Sequence, residues 1–270
     1  MPAAQSEPVL RFIRNLASRE QAAGLPDQQL LGLFLTKRDE GSFAALVRRH
    51  GPMVLRVCLE VLHNEHDAED AFQATFLVLS LKAGSVKKQQ SVGSWLYGVA
   101  HHVATSLKRS LARRRSRESQ VINKTVADPL AAITIREAQQ ILHQELACLP
   151  EKYRAPLLLC HWEGLSRDEA AQRLGWTVRT VKNRLEQARQ QLRARLSRRG
   201  LALSGALVAA LFSEAMASAA VPCVLLDSIV KSATAVAAGH KAASVASAKV
   251  ATLAEGVMKA IYVAKPVMWP

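Results

Sequence analysis

At 270 residues the chain exceeds one ordinary compact unit and suits two modest domains, or one with appendages, which excludes a large single catalytic barrel. Lys and Arg number 36 against 22 Asp and Glu, a net charge of +14 that points to an anionic partner, nucleic acid or a membrane surface. Hydrophobic residues make up 49% but aromatics only 5%, a balance that favours helices over β-sandwiches.

Residues 1–26 read as a leader. Their scattered charges and lack of an apolar core give no signal peptide, so the leader is expected to be untargeted. Residues 27–117 are patterned as helices. Phe43, Leu46, Val47, Val54, Val57, Cys58 and Val61 recur at helical spacing, and Gly51-Pro52 predicts a kink between them. A second helix is predicted with Asp67 as its N-cap and with Ala68, Ala71, Phe72, Thr75 and Leu79 on one face. Its other face would expose Glu69, Asp70, Gln73, Phe76 and Leu77, a mixture of acid, amide and apolar groups unusual for a plain solvent face. The alternative is that Phe76 and Leu77 pack under the following loop.

A third helix is predicted from Ser94, with Leu96, Val99, Ala100, Val103 and Leu107 inward and Gly98, His101, His102, Thr105, Lys108 and Arg109 outward. Trp95 lies at the margin of this stripe. Together with Arg113 and its basic neighbours, these residues form a surface on which bases can stack and phosphates can be held. Taken singly, Trp95 reads more readily as a core anchor than as a stacking platform, and the arginine run as a solvated helix end. His101 and His102 diverge by about 100° on a helix and have no carboxylate at i+4, so no metal site is expected.

Residues 118–133 are polar and contain Asp128-Pro129, the place for a linker. Residues 134–199 follow, with predicted helices near 134–148 (Ile135, Ala138, Leu142, Leu146) and 151–162 (Leu157, Leu158, Leu159, Trp162). Pro156 predicts a kink or a late start in the second of these. Ser166 and Glu169 form a capping box, Ala170, Ala171 and Leu174 give a short helix, and Gly175 supplies a turn. Thr177 then caps a helix with Val181, Leu185, Ala188 and Leu192 inward and Arg179, Thr180, Lys182, Asn183 and Arg184 outward. Two helices of this kind make a helix-turn-helix whose second member enters the major groove N-terminus first. An ordinary αα-hairpin is the alternative.

Residues 200–270 contain no Arg and are rich in Ala, Val and Ser. LALSGALVAALFS is apolar, but its run of about thirteen residues is short of the roughly twenty needed to span a bilayer, and Glu214 follows. Membrane contact by this extension is therefore not favoured. Beyond Ser228, Lys231, Lys241, Lys249 and Lys259 among small residues read as an amphipathic helix pair. The four cysteines lack any C-x-x-C pairing, which argues against a disulfide framework or zinc ribbon and fits a cytoplasmic setting.

The stretches HDAEDAFQATFLVLS (66–80), SWLYGVAHHVATSLKR (94–109), LPEKYRAPLLLCHWEGLS (149–166) and DEAAQRLGWTVRTVKNRLEQARQQLRARL (168–196) resemble, in that order, the extracytoplasmic-function (ECF) sigma factors of bacterial RNA polymerase. The resemblance covers roughly residues 27–198. It implies an all-α fold of two small helical domains joined by a linker, the second containing the helix-turn-helix, with the Ala-rich helical extension outside the shared core. It also implies core RNA polymerase and promoter DNA as partners, an anti-sigma regulator as a further candidate, and no cofactor. The helix with Glu69, Asp70, Gln73, Phe76 and Leu77 is similar to the one that docks on the polymerase clamp helices. Trp95, His101, His102, Lys108, Arg109 and Arg113 fall in the part that captures bases of the minus-ten element. Arg179, Thr180, Lys182, Asn183 and Arg184 match the helix that reads the minus-thirty-five element. His102 stands where family members often carry Asn or Arg, and Pro156 also departs from the commonest pattern. The rival reading is a helix-turn-helix regulator without polymerase affinity. An enzyme is disfavoured, because no phosphate-binding, dinucleotide, zinc-protease or nucleophile-elbow motif occurs.

Overall fold

The computed structural model describes residues 24–86, 91–118, 135–201 and 221–263, and every regular element among them is helical. Nearly all of the leader, the proposed linker and the apolar stretch after Leu201 lie outside the described residues. Four helices come first: α1 (Asp27–Lys37), α2 (Glu40–Leu62), α3 (Glu65–Lys82) and α4 (Val92–Glu118). A second group follows, α5 (Ile135–Ala147), α6 (Glu151–His161), α7 (Arg167–Leu174) and α8 (Val178–Arg198). The extension supplies α9 (Cys223–Ala237), the single turn α10 (Ala242–Val245) and α11 (Ala248–Val263).

Local chemistry fixes where the first helices begin and end. Asp39 caps α2 by accepting from the Ser42 amide at 2.8 Å. The corner between α2 and α3 is made by His63 in the left-handed region (φ 54°) and by Asn64, whose side chain accepts from the Asp67 amide at 2.9 Å. The cap of α3 is thus Asn64 and not Asp67, which instead joins Glu65 in the first turn, where the helix dipole favours acids. Helix α2 runs through Gly51-Pro52 as one element. An interior proline costs about 3 kcal/mol, and burial of His50, Met53, Val54 and Leu55 on both sides of it holds the helix together.

Helices α2, α3 and α4 pack against one another, with α1 on α2. Phe34 meets Phe43 at 4.5 Å between ring centroids, Phe43 meets Phe76 edge-on at 6.4 Å, and Phe72 meets Phe76 at 5.1 Å. Phe76 is fully buried in this aromatic cluster and Leu77 is 2% exposed, so neither lies on the open face expected of them. Their periodicity was compatible with either side, and contacts from distant parts of the chain decide it.

In the second group the sequence signals translate directly into structure. Ser166 accepts from the Glu169 amide while the Glu169 carboxylate accepts from the Ser166 amide, closing the capping box. Gly175 ends α7 with φ 66°, and Thr177 caps α8 by accepting from the Thr180 amide at 3.2 Å. Pro156 sits within α6, which nonetheless starts at Glu151. The two groups do not stand apart: α4 packs on α5 and α6, and α2 on α5, so one apolar core is continuous across them.

Phe76→Ala is expected to destabilise the fold by roughly 3–5 kcal/mol, whereas Ser166→Ala should cost about 1 kcal/mol. Urea unfolding followed by far-ultraviolet circular dichroism checks both, and a loss below about 1 kcal/mol for Phe76→Ala would contradict its placement in the core.

Candidate nucleic-acid interface

The helix-turn-helix presents its polar residues at the N-terminal half of α8. Val181, Leu185, Ala188 and Leu192 are buried against α6 and α7, which leaves Arg179, Lys182 and Asn183 exposed on the opposite face with Thr180 half-buried beside the cap. Arg184 is placed differently. Its guanidinium lies over the Trp176 ring, 3.9 Å from the centroid, so the turn residue holds it by a cation–π contact. At the far end of α8, Arg195 pairs with Glu145 at 3.7 Å and Arg199, the residue just past the helix, with the same carboxylate at 2.8 Å, fastening the basic end of the helix to α5. Arginines at the two ends of α8 therefore have separate tasks.

On α4 the expected surface divides in two. Lys108, Arg109 and Arg113 are exposed on its C-terminal half. Trp95 is 9% exposed, and His101 and His102 are half-buried, with His101 beside the Arg154 charge at the junction with the second group. Three contacts make that junction. The Arg154 guanidinium lies over Gly98, where its nearest nitrogen would stand 3.4 Å from an added Cβ, and donates to Ser94 Oγ at 3.0 Å. The Tyr97 hydroxyl bonds His143 Nδ1 at 2.8 Å, with Trp162 edge-on to both rings. His50, with Nε2 3.0 Å from Asp27, has Nδ1 3.7 Å from Glu163, and Glu163 accepts from Arg173 at 3.0 Å. Burial opposes the Asp27 carboxylate, but His50 and Arg49 outweigh it and hold the acid well below its usual range.

Sequence reading did not single out Tyr97, His143, Arg154 or Glu163. The available signal was a charged or hydroxylated side chain inside an apolar run, as in YRAPLLLC, which marks a buried polar group with a partner to be found.

The outward stripe of α3 holds Glu69, Asp70 and Gln73, all half-buried. The extension lies against this helix: α9 and α11 both pack on α3, and Lys249 Nζ stands 2.7 Å from both Asp67 Oδ1 and Asp70 Oδ2. Leu77 owes its burial to a narrow crevice shared with Ile229 and Val250. Among the described residues no His, Cys, Asp and Glu cluster could hold a metal, and no helix is long and apolar enough to cross a membrane.

The family models for sigma-70 region 2 and sigma-70 region 4 match residues 46–114 and 139–192, the first falling on α2 to α4 and the second on α5 to α8. Among similar curated proteins, the ECF RNA polymerase sigma factor SigM of Mycobacterium tuberculosis is 31% identical over 155 residues, covering 57% of this chain and 76% of that one. The chain belongs to the ECF RNA polymerase sigma factors. SigE of Mycolicibacterium smegmatis is 32% identical over 166 residues, and this sigma factor spans 62% of its length. SigW of Bacillus subtilis is 28% identical over 171 residues, with 91% of its length covered.

The junction of this sigma factor gives it an acid sensitivity. Burial, then the charges of His102, Arg154 and Arg109, lowers His101 from an ordinary 6.5 to about 4. Burial, then the charges of His101 and Arg56, lowers His143 to about 3. Both imidazoles stay neutral when folded, while the unfolded chain takes up protons near 6.5, so acid favours unfolding. Stability should be full above about pH 6.5 and decline toward pH 4, with a limiting slope of about 1.4 kcal/mol per pH unit for each histidine. Urea midpoints at pH 7.5 and pH 5 test this, and a combined His101→Gln and His143→Gln variant should narrow the gap between them.

Proposed function

We propose that this sigma factor recruits core RNA polymerase to promoter DNA and helps to open it, with residues 27–117 and 134–199 as its two working units and without covalent catalysis. The observation that carries this reading is the exposed Arg179, Lys182 and Asn183 row at the N-terminal half of a capped helix-turn-helix, preceded in the chain by a region-2 match. Arginine and lysine can pair with guanine edges and asparagine with adenine, while Thr180 and the open amides of α8 suit phosphate. These residues would read the upstream element in the duplex groove. Arg184, held on Trp176, would orient the N-terminal end of α8 and add charge near the backbone.

Promoter opening falls to α4. Lys108, Arg109 and Arg113 would track the phosphates, and Trp95, His101 and His102 would meet unstacked bases. Unstacking costs a few kcal/mol per step, which stacking and pocket contacts on the protein offset. His101 is half-buried near the Arg154 charge, so a base reaching this residue would be helped by parting of the two units. Glu69, Asp70 and Gln73 on α3 would contact the polymerase. Phe76, buried in the aromatic cluster, supports that face from beneath, and Leu77 lies at its edge.

Reconstituting core polymerase with the protein and sequencing DNA upstream of the transcript starts tests the function as a whole; a set of starts with a shared upstream element is expected, and no directed starts would refute it. Replacing Arg179 and Lys182 by Ala should weaken duplex binding by about 2 kcal/mol, roughly thirtyfold, while leaving polymerase affinity unchanged. Asp70→Arg should do the reverse, lowering polymerase retention in a pull-down while isolated duplex binding persists.

A further inference from the structure

We propose that α9 and α11 form an intramolecular cover over the α3 docking face, a built-in inhibitor that core polymerase must displace before it can bind. The proposal rests on the assignment of Asp70 and Gln73 to polymerase contact. Asp67, Asp70, Gln73 and Leu77 follow one another at helical steps and make one stripe along α3. The extension meets every member of it. Lys249 bridges Asp67 and Asp70 at 2.7 Å each, and Gln73 and Leu77 line a crevice closed by Ile229, Ser232, Ala246 and Val250. A polymerase helix that used these acids and Leu77 would need the volume that α9 and α11 fill.

Two further contacts show that the extension is seated rather than loosely apposed. Val221, just ahead of α9, lies over Gly51 so closely that a Cβ there would stand 2.9 Å from its Cγ2. The bare backbone of α2 at this point makes the seat. At the other end of α9, the Thr234 hydroxyl, bonded to the Val230 carbonyl of its own helix, comes within 3.4 Å of Glu40 at the start of α2.

The seat is also of a kind that can be vacated. The buried face of α11 is Val250, Ala251, Ala254 and Val257, small side chains that remove less apolar surface from water than Leu or Phe would. Lys249 keeps 44% of its side chain exposed, so its pairs are open to salt and competing charge. The family matches end at residue 192, and the cover is built wholly from residues beyond them. A polymerase surface that presents cations to Asp67 and Asp70 would substitute for Lys249 directly.

The full chain tests this without truncation. A zero-length carbodiimide reagent should join Lys249 to Asp67 or Asp70, detectable by peptide mapping, and saturating core polymerase should lower that yield several-fold. Lys249→Glu, which sets a carboxylate against two others at a largely exposed position, should bind core polymerase roughly tenfold tighter, with the difference shrinking at high salt. A cross-link undiminished in the polymerase complex, or a Lys249→Glu protein that binds no tighter than wild type, would overturn the cover. Comparing Lys249→Ala with the same protein carrying Asp70→Ala separates the two layers of inference. Weaker polymerase binding after Asp70→Ala upholds the docking face, and equal binding removes the docking face and with it the cover.

Discussion

A guanidinium taken out of water costs several kcal/mol unless each of its edges is answered, and Arg154 is answered from both sides of the junction between the helix groups. Ser94 on α4 accepts from Nε at 3.0 Å, the Ala147 carbonyl from Nη1 at 2.9 Å, and Glu151 from Nη2 at 3.3 Å. The charge is 2% exposed and lies across Gly98 of α4, where an added Cβ would stand 3.4 Å from its nearest nitrogen. Two of these acceptors belong to the second group and one to the first, so the guanidinium is answered on every edge only while the groups are together. Tyr97 with His143, and His50 with Glu163, have the same dependence. The described structure is a closed one, with region-2 and region-4 helices sharing a core held at its centre by polar groups that have water as an alternative partner. An apolar junction would offer no such alternative, and parting it would expose only hydrocarbon.

Closure and cover act on different surfaces. The junction holds His101 of α4 beside Arg154, and Trp95 is buried, while the extension lies on the acids of α3 and the row on α8 stays open to solvent. On the proposed assignments, duplex recognition and polymerase engagement would be separable, the first surface exposed from the start and the second covered by the extension. Charge is distributed to match: exposed cations gather on α8 and the end of α4, while the acids Asp67 and Asp70 share one cation, Lys249, which stands 182 positions along the chain from Asp67.

Local signals were legible wherever the chemistry is local. The capping box at Ser166, the left-handed Gly175, the Thr177 cap and the outward row on α8 could be read residue by residue, because each is a contact within a few positions. The order of the helices and the small-residue texture of the extension were equally readable. What could not be read depends on partners far along the chain. Phe76 is buried because Phe43 reaches it, Leu77 because Ile229 and Val250 do, and the outward face of α4 turns inward because Arg154 and His143 settle on it. Helical periodicity tells which residues share a face but not what covers that face. Asp67 shows a smaller version of the same limit, since two neighbouring residues could each cap α3 and Asn64 holds the geometry.

The stack of Arg184 on Trp176 has an optical consequence. An indole with a cation 3.9 Å from its centre emits under a strong local field, and this one sits at the turn just ahead of α8, the helix proposed to enter a groove. Any phosphate that drew the guanidinium away would relax that field and shift the emission. Trp176 would thus report groove occupancy from the turn ahead of Arg179, and because the chain holds four tryptophans, its share of the emission is the part lost in a Trp176→Phe variant.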